Sequence, residues 1–196
     1  MKKQILRSVL IVGTTITLLS FDLPKGWTSG GTDLTEYEMG IDKGAGQDGK
    51  NAATLKSIKK GKDFGTMFQN CLPDKFIGKR VRMTAFVKTK DVEGWAGLWF
   101  RIDGEGSKDF LGFDNMKDGK KDRSIKGTTD WTKYEIVLDV PPKSTNLAFG
   151  ALLAGKGQIW FDKFNFEVVD NTVPTTGSGK DEYMPNKEPV NLDFDN

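Results

Sequence analysis

The chain has 196 residues, with 29 Lys and Arg against 27 Asp and Glu, a single Cys and no His. The absence of His removes Ser-His-Asp and Cys-His nucleophile systems and the commonest zinc ligand, and one Cys excludes an intrachain disulfide. What remains, 37% hydrophobic residues with 13 Phe and 5 Trp, suits one domain held together by packing alone.

Residues 1–20 open with Lys2, Lys3 and Arg7 and continue through an apolar run from Val9 to Leu19 before polarity returns at Asp22. A basic segment followed by a short apolar one is the pattern of a secretory signal peptide. The run is also too short for a membrane span, which needs about 20 apolar residues. The expectation is therefore export to the periplasm or the extracellular space, with no stable span after cleavage. No Ala-x-Ala-like pair precedes Phe21, so an uncleaved anchor stays open as the alternative. Removing residues 1–20 takes three of the 29 basic residues and none of the 27 acidic ones. The apparent basic character belongs to the signal, and no nucleic-acid partner is expected, since that would need a clustered basic face.

From residue 21 onward the chain alternates apolar and polar residues in short runs punctuated by Gly, with few helical i, i+3, i+4 patterns. Short runs at 37–41 and 53–58 come first. Val81, Met83, Ala85 and Val87 then alternate with polar neighbours, the period of a half-buried strand. A turn is expected at 90–94, and the next run places Ala96, Leu98, Phe100 and Ile102 on one face with Trp95, Trp99 and Arg101 on the other. These two strands read as a hairpin. Further runs follow at 110–113, 134–140, 147–153 and 158–168, with Tyr134, Ile136, Leu138 and Val140 facing inward. Seven or more short strands predict an all-β, antiparallel β-sandwich or jelly-roll over residues 21–170. Residues 171–196 form a polar tail rich in Thr, Ser, Gly and Pro, which either is a linker or docks back as a terminal strand, with Asn191-Leu192-Asp193-Phe194-Asp195 its most strand-like stretch. That stretch could also be the stub of a second domain.

Four blocks are distinctive in combination: 94–104 (Gly-Trp-Ala-Gly-Leu-Trp-Phe-Arg-Ile-Asp-Gly), Phe113-Asp114-Asn115-Met116, 125–131 ending in Asp130-Trp131, and 149–162 ending in Ile159-Trp160-Phe161-Asp162. Together they resemble a galactose-binding-like β-sandwich domain found appended to bacterial transcription regulators and to exported hydrolases, related in architecture to carbohydrate-binding modules. The resemblance covers about residues 21–170. It implies a binding or accessory fold, and fold alone does not establish function.

The most suggestive surface comes from the expected hairpin, whose face opposite the core carries Arg80, Arg82 and Phe86 beside Trp95, Trp99 and Arg101. Aromatic faces stack on the C–H faces of sugars, and Arg forks donate to hydroxyl or carboxylate oxygens. The alternative is that the other sheet, a loop or the tail buries these aromatics. Trp27, Trp131 and Trp160 read as packing residues, and Cys71 as a small buried hydrophobe. Asp42, Asp48 and Asp162 could share a structural calcium ion. Gly44-Ala45-Gly46-Gln47-Asp48-Gly49 matches a dinucleotide fingerprint by letter, without the βαβ unit it needs, and Gly177-Ser178-Gly179-Lys180 lacks the Ser or Thr of a phosphate loop. Asp114, Asn115 and Asp118 fit ordinary turn chemistry. The expected function is an exported, non-catalytic module that binds a carbohydrate or envelope glycan on a concave sheet face. The alternatives are a sensory or protein-interaction domain of the envelope, and an accessory domain of a hydrolase whose catalytic part lies elsewhere.

Overall fold

The computed structural model describes residues 22–59, 63–106 and 110–179, and these form an all-β domain. In chain order the strands are β1 (Thr28–Gly31), β2 (Tyr37–Asp42), β3 (Ala52–Ser57), β4 (Phe64–Cys71), β5 (Lys79–Gly104), β6 (Gly112–Asp114), β7 (Ile125–Val140), β8 (Ser144–Ala154), β9 (Gln158–Val169) and β10 (Ser178–Gly179). The one helical element among the described residues is a 3-10 turn at Leu34–Glu36, where Asp33 Oδ1 accepts from both the amide and the hydroxyl of Thr35.

All pairings are antiparallel, and β5 organises them. The expected hairpin at 90–94 does not form: β5 runs unbroken for 26 residues. Its first half pairs with β9 and β7, and its second half pairs with β8 and β6. One strand is thereby shared by two sheets. The first sheet has the order β2-β3-β9-β5-β7, and the second has β1-β4-β8-β5-β6, with β10 on β6. The Lys90 to Gly94 stretch carries turn-forming residues because the strand bends there, through register shifts against β7 and a left-handed Asp91 at φ 52°. Bulges of this kind add a residue to one strand and sharpen its twist. The added residue also switches parity: Val81, Met83, Ala85 and Val87 point inward before the bend, and Ala96, Leu98, Phe100 and Ile102 point inward after it, all eight fully buried. β9 switches the same way at Lys163 (φ 55°), passing from buried Ile159 and Phe161 to core-packed Phe164 and Phe166.

The core lies between the sheets. Its aromatic centre joins Trp27 to Phe149, Phe161 and Phe164 at centroid distances of 5.5 to 6.0 Å, and Phe166 to Phe149 and Phe100 edge-on. Offset and edge-on pairs of this kind add to the area they bury. Ile136, Leu138 and Val140 on β7 are buried as their alternation predicts, with Tyr134 half-buried against the same core.

Residues 171–179 pack against the domain. Arg80 Nη1 donates to the carbonyls of Asn171 and Val173 at 2.6 and 2.7 Å, while its Nε and Nη2 pair with Asp139. Thr176 exchanges hydrogen bonds with the backbone of Val137 on the free edge of β7, and β10 then pairs with Gly112 and Phe113 of β6. This strap bridges the edge strands of the two sheets, so the outward-pointing Val137 is fully buried. The stretch 191–195 lies outside the described residues, as do residues 1–20. Cys71 departs from expectation, since it is exposed at the end of β4. No helix among the described residues is long and apolar enough to cross a membrane.

Candidate functional site

The outer face of the second sheet is hollowed into a groove of about 630 Å³. Its floor follows from register. Gly150 on β8 lies opposite Phe68 of β4 on one side and Trp99 of β5 on the other. Leu152 lies between Thr66 and Gly97, and Ala148 between Asn70 and Arg101. On β8 the small residues Ala148, Gly150 and Ala154 alternate with Leu152, and aromatic residues on the flanking strands bound the groove. Gly150 is required by its surroundings, because a Cβ there would lie 2.1 Å from the carbonyl oxygen of Met67.

One wall is Phe64 and Phe68 from β4, and the opposite wall is Phe113 from β6, against which the exposed Phe110 stacks with ring centroids 4.9 Å apart. With neighbouring strands about 4.8 Å apart, the three spacings from β4 to β6 put the walls about 14 Å apart at backbone level. The groove also reaches Gly30, Gly31 and Thr32, at and just after β1 beyond β4. Trp99 lies in the floor, only 9% exposed, and donates from Nε1 to Thr66 Oγ1 at 2.8 Å, while Thr66 Oγ1 donates to the carbonyl of Ala151. That pair of bonds fixes the indole plane. Phe68 packs on Trp99 at 5.8 Å, and Trp95, half-buried, continues the aromatic surface along β5.

Polar groups sit at the two ends. At one end, Arg101 places Nε 2.8 Å from Asp103 Oδ1, and its Nη2 donates to Oδ2 at 3.1 Å. At the other end, Tyr37 donates its hydroxyl to the carbonyls of Asp63 and Gly155, which fastens the rim. Burial pushes the Tyr37 hydroxyl above its ordinary value, so it remains a donor across the physiological range. Asn115 also borders the groove, but its side chain serves its own turn: Oδ1 accepts from the amides of Lys117 and Asp118, and Nδ2 donates to Asp118. The turn is anchored below by Asp114, fully buried, which pairs with Arg123 and accepts from the Met116 amide.

The structure divides the expected platform in two. Trp95, Trp99 and Arg101 line the groove. Arg80, Arg82 and Phe86 also point away from the core, but they lie on the outer face of the first sheet, on the opposite side of the sandwich. Arg80 holds the strap, and Arg82 pairs with Glu135 and Glu167 at 3.1 Å. Asp42, Asp48 and Asp162 gather at one corner of that sheet, each with its own partner. Asp42 accepts from Trp160 Nε1, Asp48 from the Lys50 amide and Lys163, and Asp162 from the Gln47 amide. Among the described residues no three His, Cys, Asp or Glu side chains come together to hold a metal ion. The 44–49 glycine run is the β2-to-β3 loop, and Trp160 packs under Lys88, whose ammonium sits 5.3 Å from the ring.

Thr66, Phe64 and Phe68 went unread in the sequence because β4 was not recognised as a strand. Its residues are apolar on both faces, with Met67 inward and Phe68 in the groove, so no alternation marks it. A short apolar run closed by Pro73 is the signal that would have found it.

No protein-family model matches the chain. Among curated proteins it is similar to an uncharacterized HTH-type transcriptional regulator, YbfP of Bacillus subtilis (strain 168), with 43% identity over 176 residues. The match spans 87% of this chain and 57% of the regulator, so the chain corresponds to little more than half of that protein. Among solved structures it is similar to the CBM22-1 xylan-binding domain of Paenibacillus barcinonensis Xyn10C, with TM-score 0.51, 15% identity, 76% of this chain and 90% of that one. The CBM22-1–GH10 modules of Clostridium thermocellum xylanase 10B complexed with xylohexaose match with TM-score 0.52 and 12% identity, over 74% of this chain and 26% of that one. The enzymatically active domain of tailspike protein 4 of bacteriophage CBA120 matches with TM-score 0.53 and 14% identity, over 74% and 20%. At these identities the likeness is one of fold, and it bears out the expected antiparallel β-sandwich.

Proposed function

We propose that this domain is a glycan-binding module that seats one polysaccharide strand in the groove of the second sheet. The observation that carries the reading is the groove itself, where Thr66, Trp95, Trp99, Leu152 and Ala154 lie between Phe64 and Phe68 on one side and Phe113 on the other, with Arg101 at one end. Pyranose rings present apolar C–H faces that stack on aromatic faces, and hydroxyls around their edges that accept from guanidinium N–H groups. A mostly apolar cleft with a few placed polar groups is the usual form of a ligand site. The fold shared with a xylan-binding domain supports the same reading.

The module binds without turning its ligand over. Among the described residues lining the groove Asp63 is the one carboxylate, whereas glycoside hydrolysis ordinarily takes a pair of carboxylates across the scissile bond. The basic and apolar stretch at 1–20 supports a location outside the cytoplasm, where envelope and environmental glycans are the ligands at hand.

Affinity electrophoresis of the purified chain through gels containing xylan, β-1,4-galactan, xyloglucan or solubilised cell-wall glycan tests this. Retardation by at least one polymer is expected, abolished in Trp95→Ala. A folded chain retarded by none would refute the reading. The similarity to a transcription regulator favours a second one, in which the groove senses a short oligosaccharide and reports to a partner. Calorimetry with oligosaccharides of increasing length separates the two, since a sensor saturates at a few sugar units and a polymer-binding module gains affinity with length.

A further inference from the structure

We propose, resting on the glycan reading above, that the groove selects uncharged glycans and rejects acidic ones, and that Asp103 is the residue that sets this specificity. Among the described residues that line the groove, Arg101 is the one cation. By itself it would draw uronate, phosphate or sulfate groups, since a guanidinium pairs readily with anionic oxygens. Its charge is already matched. Asp103 lies two residues further along the same face of β5, with its carboxylate paired to Arg101 at 2.8 Å and 3.1 Å.

Asp103 is itself held in place. Asn146 on β8 donates from Nδ2 to Asp103 Oδ2 at 2.8 Å, and the same Nδ2 lies 3.1 Å from Asn70 Oδ1 on β4. The carboxylate is therefore fixed between Arg101 and a neighbouring strand, and it does not swing aside to let a ligand anion take its place. What Arg101 offers the groove is its remaining N–H donors, without net charge. Those donors suit hydroxyl, ring and glycosidic oxygens. Among the described residues Asp63 lines the opposite end, so an anionic sugar would lose hydration while facing like charge. Arg101 and Asp103 have side-chain exposures of 39% and 29%, so solvent screens part of the repulsion. The discrimination expected is about ten-fold in affinity.

The test uses polymers matched except for oxidation of primary alcohols to carboxylates: xyloglucan and β-1,4-galactan, each intact and oxidised. Calorimetry of the full chain at low salt is expected to give the neutral member of a pair about ten-fold tighter binding, with the gap shrinking as salt is raised. In Asp103→Asn the gap closes or reverses through a gain for the acidic member, because Arg101 is then unmatched. Equal or tighter binding of acidic polymers by the unaltered chain overturns the specificity proposal and leaves glycan binding standing. Binding of no polymer in either state overturns the glycan reading and this proposal with it. The comparison on the unaltered chain decides the matter even if the variant folds poorly.

Discussion

Two tryptophans four residues apart on the same face of β5 are assigned different work, and their substitution separates the roles. Trp99 is 9% exposed and hydrogen-bonded to Thr66, whereas Trp95 is half-buried. An aromatic side chain buries about 150–250 Å², which at about 25 cal/mol per Å² is about 4–6 kcal/mol. Measured aromatic-to-Ala costs run at about 3–5 kcal/mol. The hole left by Trp99→Ala opens to the groove and fills with water, so the low end, about 3 kcal/mol, is expected. For a domain of this size that lowers Tm by about 6–12 °C. Trp99→Phe keeps most of the area and loses the Nε1 bond, a cost of about 1–2 kcal/mol, because Thr66 retains its bond to Ala151. Trp95→Ala is expected to cost less stability than Trp99→Ala, about 2 kcal/mol, while abolishing polymer binding. Differential scanning calorimetry beside affinity electrophoresis reads both quantities. If Trp99→Ala melts within 2 °C of the unaltered chain, or Trp95→Ala proves the more destabilising, the assignment of floor and platform is refuted.

Other perturbations reach different parts of the fold. Arg80→Ala removes two carbonyl contacts to the strap and leaves Asp139 without its partner, so a loss of about 2–3 kcal/mol and faster proteolysis between 171 and 177 are expected; an unchanged digestion pattern counts against the strap. Asp48 is held below its ordinary 3.8 by the Lys50 amide and Lys163, and Asp122 lies below it through Lys117 and Ser124. Carboxylates lowered in the folded state stabilise above the unfolded value and lose that contribution as pH falls through the folded one. Tm should therefore hold steady from pH 7 to 5 and fall below about pH 4, the fall being smaller at high salt; a Tm that rises on acidification contradicts this. Cys71 is exposed, yet desolvation pushes its thiol above the ordinary value, so maleimide labelling at pH 7.5 should be complete but slower than for free cysteine, speeding up toward pH 9. Labelling at or above the free rate argues against that environment.

The period-two pattern made the architecture legible. Val81 to Val87, Ala96 to Ile102 and Ile136 to Val140 all face the core as their alternation requires, because burial on one face of a strand leaves a direct trace in sequence. The groove was half legible for a geometric reason. Arg80, Arg82 and Phe86 were grouped with Trp95, Trp99 and Arg101 because all six point away from the core, and alternation reports only that. In a hairpin they would share one surface. In a strand that passes from one sheet to the other they face opposite exteriors, and Asp91 reads as a turn residue in either case. Phe113 was visible in its block, but its place opposite Phe68 depends on pairings between strands distant in sequence, which no local pattern encodes. Spacing alone also did not tell that Asp42, Asp48 and Asp162 each take a partner of their own, from the Trp160 indole, the Lys50 amide with Lys163, and the Gln47 amide.

The continuity of β5 also sets how the domain can change length. Core side chains before the bend and groove side chains after it hang from one backbone hydrogen-bonded to β6, β7, β8 and β9. A single residue added or lost between Lys79 and Gly104 would turn one set inside out, sending Trp95, Trp99 and Arg101 into the core or Val81 to Val87 into water. Only changes of two residues at the bend preserve both faces. Ligand preference can drift through the walls on β4 and β6 and the loops beyond them, but the length of this strand is locked by the sandwich it joins.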